Sequence, residues 1–246
     1  MLTLHIFPEV HGAQPSGPCH KVEVFLRLVG QEYAIERGFD LSKAPKGKFP
    51  LIDDDGRLVD DSEFILRYLH RTYGLTLDDG LSGYQHGLAR GMRRITENSL
   101  YIITRHCRWV VPEQADITPQ LLMAGMPPDQ RAAMAEDIRA RIKQADYLQG
   151  YGRHSEDELK AVAKDDLAAL AAVIAENGFV IDDRPRNVDC SVYAQLATSR
   201  DRRLTAWLPE MIEDTPALVA YLARMQDALE NAKIGTDGRM SDRKTF

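Results

Sequence analysis

The sequence predicts an α+β protein, in which a β-α-β-β-β-α unit precedes a domain built only of helices. Two observations predict this division. Before residue 75, short apolar segments include alternating patterns typical of strands, whereas after residue 81 apolar residues recur at helical spacing. We therefore expect two domains, residues 1–75 and 83–246, joined by a linker at Leu75–Gly80. The first should contain a four-stranded mixed sheet with helices on both faces.

The elements of the first domain follow from local patterns. Residues 2–6 alternate Leu, Leu and Ile with other residues and predict the first strand. A loop rich in Gly and Pro leads to a helix that ends at Gly30, and a short second strand follows around Ile35. Two short apolar segments flank an Asp-Gly turn at residues 55–56, which predicts a hairpin. A helix that ends at Gly74 completes the unit.

The second domain shows only helical periodicity. Four long helices and one shorter apolar segment are predicted, because apolar residues repeat every three or four positions. The long stripes are Leu88–His106, Met134–Ala145, Leu159–Ile174 and Leu218–Leu229, and the shorter segment is Val188–Leu196. Ser155 and Glu158 form a capping-box pattern ahead of the third stripe. No strand pattern of comparable quality follows residue 75.

Composition argues against several classes of protein. The 31 basic and 37 acidic residues give a net charge of −6, which argues against nucleic-acid or membrane-surface binding. The three cysteines are far apart and odd in number, so we expect a reducing compartment and no disulfide framework. No apolar run is long enough to span a membrane, and the N-terminus lacks signal-peptide features, so we expect a cytoplasmic protein. No residues show metal-ligand spacing, and we expect no metal.

Ser16 and Cys19 stand one turn apart where the first helix begins. A helix N-terminus presents unpaired N–H groups and the positive end of a dipole, which stabilise a thiolate or an alkoxide. The pattern is therefore typical of a site that handles thiols. A loop with a proline at the helix start and a buried cysteine explains the same residues, so this motif alone leaves both interpretations open.

Pro50 opens the third predicted strand, after the segment PKGKF at residues 45–49. Proline cannot donate to a sheet ladder, so it belongs at the start or edge of a strand. We predict that the Phe49–Pro50 bond is cis, which would turn the Phe49 backbone outward, where an extended peptide could pair with it. An ordinary trans proline in a loop is the alternative.

Asp61 and Ser62 precede a predicted helix from Glu63 to Tyr73. Both residue types favour the N-cap position, which explains them without a ligand. A helix N-terminus with free N–H groups and a hydroxyl also suits a carboxylate ligand.

Together, these three motifs in this order resemble the thioredoxin-like domain of the cytosolic glutathione transferases. The helical remainder has the length and position of their C-terminal domain, so the resemblance covers nearly the whole chain. More narrowly, PKGKFPLI, EFILRYL, GYGRHSEDEL and the helix start at residues 188–189 are similar to the failed-axon-connections and metaxin-like branch. The resemblance implies glutathione as a substrate and a homodimer formed through the first helices of the second domain.

The resemblance also implies where the glutathione sulfur lies. Ser16 takes the position that faces the sulfur and is the implied catalytic residue, whereas Cys19 takes the second, usually shielded position of this binding site. One departure from the family pattern lies in the second domain, where Arg186 replaces the usual Ser or Thr of the helix cap completed by Asp189. We expect Asn187 to cap that helix instead.

The remaining glutathione contacts are implied by the other two motifs. Phe49, ahead of Pro50, would pair its backbone with the cysteinyl part of glutathione. Asp61 and Ser62 would hold the γ-glutamyl end. Lys48 would meet the glycyl carboxylate.

The implied activity is conjugation of glutathione to a hydrophobic electrophile, as in detoxification, with the thiolate stabilised by Ser16 and the start of the first helix. From helix position alone, we place the electrophile near four residues: Tyr101, Arg105, Arg108 and Trp109. The alternative is a non-catalytic glutathione-binding or protein-interaction module of the metaxin-like type. A third interpretation makes Cys19 a nucleophile in thiol exchange.

A row of arginines marks the first helix of the second domain. Its members are Arg90, Arg93, Arg94, Arg105 and Arg108. Such a row is typical of a solvated helix face with i,i+4 ion pairs. It could also face an anionic ligand or a twofold partner, and we expect a homodimer.

Overall fold

A four-stranded sheet forms the N-terminal part of the computed structural model, which describes residues 1–232. The strand order is β2-β1-β3-β4. Strands β1 and β2 are parallel, and the β1–β3 and β3–β4 pairs are antiparallel, so the sheet is mixed as predicted. The bounds are β1 Leu2–Ile6, β2 Ala34–Arg37, β3 Leu51–Asp54 and β4 Arg57–Asp60.

The turn between β3 and β4 has the predicted chemistry. Asp55 and Gly56 both have positive φ, at 49° and 92°, as a tight two-residue hairpin turn requires. Helices α1 (Gly17–Leu28) and α2 (Ser62–Tyr73) complete the predicted element order. These two helices contact each other and therefore lie on the same face of the sheet. The prediction of helices on both faces is wrong, because residues 38–50 between β2 and β3 contain no helix.

The long helix predicted across residues 88–106 is present, but one part of it is π-helical. It consists of α3 (Gly83–Arg94), a π-helical segment (Ile95–Leu100) and α4 (Tyr101–Trp109). The Thr96 hydroxyl donates to the Met92 carbonyl at 2.9 Å, and such a side-chain contact disturbs an α-helical ladder.

The rest of the described chain is helical, as the periodicity predicts, and within residues 1–232 no strand follows β4. The long stripes correspond to α7, α8 and α11, and the shorter segment to α9. The bounds are α5 Pro112–Ala115, α6 Ile117–Leu122, α7 Pro128–Leu148, a 3₁₀ turn Tyr151–Arg153, α8 Glu156–Asn177, α9 Asn187–Ser199, α10 Leu208–Glu213 and α11 Pro216–Asn231. The predicted second domain extends to residue 246, and residues 233–246 lie outside the described chain.

The sheet, its two helices and the helices that follow share one hydrophobic core. Helix α1 packs against α9, which places the start of α1 beside the helical part of the protein. A second, smaller cluster contains Trp109, Met123 and Ala135 and lies among α4, the segment after α6, and α7.

The start of α9 is held by a cap within the helix, by a hydrogen bond from α11, and by contacts with the segment that links α2 and α3. The buried Asp189 carboxylate accepts the backbone N–H of Arg186 at 2.8 Å, and it also accepts the Tyr221 hydroxyl at 3.0 Å. The prediction that Asn187 caps α9 is wrong. Its side-chain oxygen instead accepts the N–H of Leu77 at 3.0 Å, so the linker takes up that side chain.

Candidate active site

Three strand ends meet at one edge of the sheet. His5, near the end of β1, pairs with Leu51 at the start of β3, and Leu51 pairs with Asp60 at the end of β4. Because β3 is antiparallel to both neighbours, the segments that follow β1, precede β3 and follow β4 lie at the same edge. These are the segments that carry or lead to the three motifs identified in the sequence.

Ser16 is the N-cap of α1. Its Oγ accepts the Cys19 N–H at 3.4 Å, and its carbonyl accepts the His20 N–H at 2.9 Å. Pro18 has no N–H, so Gly17 carries the one amide of this first turn without an acceptor among residues 1–232. Since the Ser16 hydroxyl accepts in this cap, its own proton is free to be donated. A group bound in front of α1 could receive that O–H together with the Gly17 N–H.

Cys19 lies beneath this turn and is 0% exposed. Burial raises the pKa of its thiol to about 12, although the Ser16 hydroxyl and the backbone of Phe7 act in the opposite direction. At neutral pH the side chain is therefore a protonated, enclosed thiol. The interpretation of Cys19 as a redox nucleophile fails because such a nucleophile needs an accessible thiolate.

Gln14 connects the Ser16 turn to the end of β1. Its amide nitrogen donates to the Phe7 carbonyl at 2.9 Å, and its amide oxygen accepts the Ser16 N–H at 3.1 Å. The Phe7 ring in turn packs against the Phe49 ring, with 5.2 Å between centroids. Gln14 was not predicted as part of the site, because a glutamine that forms hydrogen bonds within a loop has no distinctive sequence pattern.

The Phe49–Pro50 peptide bond is cis, which confirms the prediction. The Phe49 side chain is buried against Phe7, and the Pro50 carbonyl accepts the Asp61 N–H at 3.3 Å. This backbone contact joins the segment before β3 to the segment after β4. The second and third motifs are therefore neighbours in the structure.

Asp61, rather than Ser62, caps α2. Its Oδ1 accepts the Glu63 N–H at 3.0 Å, and the helix begins at Ser62, one residue earlier than predicted. Asp61 has φ 74°, a conformation that costs a residue with a side chain about 1–3 kcal/mol and is concentrated at functional sites. The Ser62 hydroxyl takes no part in this cap, so it remains available to a ligand.

Two lysines hold the segment before Phe49 against the end of β4. Lys46 pairs with Asp60 at 2.9 Å, and Lys48 pairs with Asp61 at 3.2 Å. Burial pulls the pKa of Asp61 upward, but the Lys48 ammonium and the Glu63 N–H outweigh it, and the net pKa is lowered. Lys48, predicted to meet the glycyl carboxylate, thus has a protein carboxylate as its partner here.

A cluster of one carboxylate and three arginines lies beside Ser62. Glu63 pairs with Arg67 at 2.7 Å, with Arg90 at 3.3 Å and with Arg93 at 2.7 Å. The two arginines from α3 thereby reach α2, and the three arginines also line a groove of about 340 Å³. A solvated helix face did not predict this convergence, because the sequence does not show that the arginines of α3 reach Glu63 of α2.

The residues predicted for the second substrate lie in three surroundings. Tyr101 is exposed on α4, and the Arg105 guanidinium lies 5.8 Å from its ring centroid while pairing with Asp146 of α7. Arg108 is buried and donates to the Pro15 carbonyl at 2.6 Å, directly before Ser16. Trp109 is buried in the small cluster against α7. The structure thus leaves Tyr101 and part of Arg105 accessible and encloses the other two.

Within residues 1–232, no group of three or more His, Cys, Asp or Glu side chains is arranged to hold a metal ion. Over the same residues, no helix has the length and apolarity needed to cross a membrane.

Two family models match the chain. One, described as the glutathione S-transferase N-terminal domain, matches residues 18–114. The other, described as the glutathione S-transferase C-terminal domain, matches residues 163–225. Together they cover more than half of the sequence and confirm the resemblance drawn from the three motifs.

Two curated proteins are similar to the chain along most of its length. Isoprene-epoxide–glutathione S-transferase of Rhodococcus sp. (strain AD45) is 29% identical, covering 92% of this chain and 98% of that protein. Failed axon connections of Drosophila melanogaster is 25% identical over 85% of this chain, which spans 53% of that longer protein.

Solved structures share the fold at low sequence identity. Glutathione S-transferase 1-6 from Anopheles dirus species B is 16% identical, with a TM-score of 0.60 over 94% of this chain and 91% of that one. The β-etherase LigF from Sphingobium sp. strain SYK-6 is 16% identical, with a TM-score of 0.61 over 93% of this chain and 98% of that one. These likenesses establish a thioredoxin-like domain followed by a helical domain.

Proposed function

We propose that this chain, which belongs to the glutathione S-transferase superfamily, conjugates glutathione to a hydrophobic electrophile at the sheet edge described above. The observation that carries the proposal is the arrangement of that edge. It combines a helix start with an unused amide and a serine hydroxyl, a cis-proline segment, and a strained helix cap followed by a free hydroxyl. The 29% identity to a glutathione transferase along nearly its whole length supports the same activity.

In the proposed complex, glutathione lies along this edge as an extended peptide. The Phe49 backbone pairs with its cysteinyl part, and Asp61 and Ser62 hold the γ-glutamyl end. Lys48 leaves its ion pair with Asp61 and pairs with the glycyl carboxylate instead. This change is feasible because the Lys48 side chain is exposed and its ion pair with Asp61 is therefore weak. The thiol then lies in front of α1, beside Ser16.

The proposed reaction begins when the bound thiol loses its proton to solvent. The Ser16 O–H and the Gly17 N–H donate to the resulting thiolate, and the α1 dipole favours its negative charge. A thiol pKa lowered by about two units from 8.5 makes most of the sulfur anionic at pH 7, a differential stabilisation of roughly 2.7 kcal/mol. The sulfur attacks an electrophilic carbon, forming an S–C bond as the leaving bond breaks.

The substrate class follows by analogy with the relative named for isoprene epoxide. We propose a small apolar epoxide, in which the C–O bond breaks and the oxygen takes a proton from solvent. Tyr101 and Arg105, the accessible members of the predicted second-substrate set, are proposed to contact it.

The site is proposed to act within a homodimer in the cytoplasm. The three cysteines are all free, which suits a reducing compartment. The monomer has a mass of 27.7 kDa, so light scattering at micromolar concentration should give about twice that mass. A mass near 28 kDa would overturn the dimer without touching the activity.

Steady-state conjugation kinetics test the proposed function. Wild-type protein is assayed with glutathione and either a chromogenic aryl halide or a small aliphatic epoxide, and glutathione binding is measured by calorimetry. Saturable turnover above the uncatalysed rate is expected with at least one electrophile. Binding without turnover would instead favour the non-catalytic glutathione-binding module, and absence of both would overturn the proposal.

A further inference from the structure

Arg108 is a buried arginine whose side chain binds only uncharged oxygens in its hydrogen bonds. It is 7% exposed. Its Nη1 donates to the Pro15 carbonyl at 2.6 Å, its Nη2 to the Thr198 carbonyl at 2.5 Å, and its Nε to the Thr205 hydroxyl at 3.1 Å. Burial of this charge is unfavourable and lowers the pKa of Arg108 to about 10.

The contact with Pro15 connects distant parts of the chain. Arg108 belongs to α4 and Pro15 to the loop before α1, 93 residues earlier. The Thr198 and Thr205 acceptors belong to the end of α9 and the segment after it, so the guanidinium is held by the helical part while it holds the loop. A charged donor to a carbonyl is among the stronger hydrogen bonds in a protein. Arg108 thus fixes the peptide that enters Ser16.

Two glutamines restrain the following two residues of the same turn. Gln14 accepts the Ser16 N–H at 3.1 Å. Gln195 of α9 lies against Gly17 so closely that a Cβ there would be 2.6 Å from its Oε1. The amide nitrogen of Gln195 donates to Thr104 at 2.9 Å, which orients that glutamine from α4. Each residue from Pro15 to Gly17 is therefore held by a separate side chain, and two of the three side chains come from the helical part.

We propose that Arg108 is a positioning residue: by binding the Pro15 carbonyl from the helical domain, it fixes the Ser16 hydroxyl and the Gly17 amide where a thiolate forms. This inference rests on the proposed function. It replaces contact with the second substrate as the role of Arg108, because the guanidinium is enclosed and each of its three nitrogens donates to a protein oxygen. Its buried positive charge, one peptide from Ser16, also favours the anionic form of the sulfur.

The test compares Arg108→Met and Arg108→Lys with Arg224→Met. Arg224 is a matched control because its Nε also donates to a backbone carbonyl, that of Gly178, at 2.9 Å, but on α11. Arg108→Met should lower kcat by about tenfold to a hundredfold with KM for glutathione within about threefold of wild type. With glutathione saturating, the acidic limb of the pH profile of kcat/KM for the electrophile should shift upward by about one pH unit, and Arg108→Lys should recover part of both effects. Arg224→Met should leave kcat and the profile unchanged.

A folded Arg108→Met protein with wild-type kcat and pH profile would overturn the inference, as would a loss matched by Arg224→Met. Should Arg108→Met fail to fold, Thr205→Val keeps the guanidinium but removes the acceptor of its Nε, and it should still shift the profile in the same direction.

Wild-type turnover reports on the proposed function separately. If glutathione binds without turnover, the pKa of the bound thiol is compared in wild type and variants. A higher thiol pKa in Arg108→Met supports the inference, and an unchanged one overturns it. Without binding, both proposals fail.

Discussion

Replacing Ser16 by alanine should separate catalysis from helix capping. In the structure the Ser16 Oγ accepts the Cys19 N–H at a long 3.4 Å and keeps its own proton for a ligand. The cap alone contributes about 1 kcal/mol of stability. A hydrogen bond to a thiolate contributes roughly 1.5–3 kcal/mol, so kcat should fall about tenfold to a hundredfold. Glutathione affinity should change little, because the neutral thiol needs the hydroxyl less.

Ser155→Ala is the matched control for this measurement. Ser155 caps α8 with a similar contact, in which its Oγ accepts the Glu158 N–H at 3.3 Å. Both variants should lose a similar amount of unfolding free energy in chemical denaturation. Steady-state kinetics and calorimetric glutathione binding should then distinguish them, since only Ser16→Ala should lower kcat. Equal losses of stability with unchanged kinetics in both would show that Ser16 is a cap and nothing more.

Three further predictions test other parts of the structure. Ser62→Ala should raise KM for glutathione severalfold and leave kcat nearly intact, because its contact is the same in ground and transition states; a kcat loss at constant KM would contradict this. Asp189→Ala should lower the unfolding free energy by about 3–5 kcal/mol in a denaturant titration, because two backbone N–H groups and the Tyr221 hydroxyl lose their acceptor. A loss below about 1 kcal/mol would show that Asp189 does not stabilise the start of α9. Cys19, with its pKa raised to about 12, should resist alkylation in native protein at pH 8 and react after unfolding, as followed by mass spectrometry; rapid native labelling would place the thiol at the surface.

The parts of the fold that the sequence predicts well are those with local causes. The Asp-Gly turn before β4 requires only two residues with positive φ, and the capping box at Ser155 requires only a glutamate three positions later. The helical stripes are equally local, because one apolar face specifies a helix wherever it packs. The π-helical segment was missed, since it interrupts no apolar stripe.

The parts of the site that the sequence did not predict depend on contacts between distant residues. Arg186 looked like a defective cap, but its guanidinium donates to the Leu77 carbonyl at 2.8 Å across 109 residues. Arg108 was predicted to belong to a solvated arginine row and to lie near the second substrate, yet it is buried under the Ser16 turn. Helical periodicity predicts on which face of a helix a residue lies. It does not predict which distant loop packs on that face. The three motifs were found because each is short and their order is informative.

The pKa of the thiol of bound glutathione shows whether the start of α1 stabilises a thiolate. The ultraviolet absorbance of the thiolate is titrated in a saturated complex of the wild-type protein, with an inert S-blocked glutathione complex as the reference. We expect a midpoint about two units below the ordinary thiol value of 8.5, and a return of about one unit or more toward that value in Ser16→Ala. A bound thiol that titrates like free glutathione, or a midpoint that Ser16→Ala leaves unmoved, would contradict a thiolate stabilised at the start of α1.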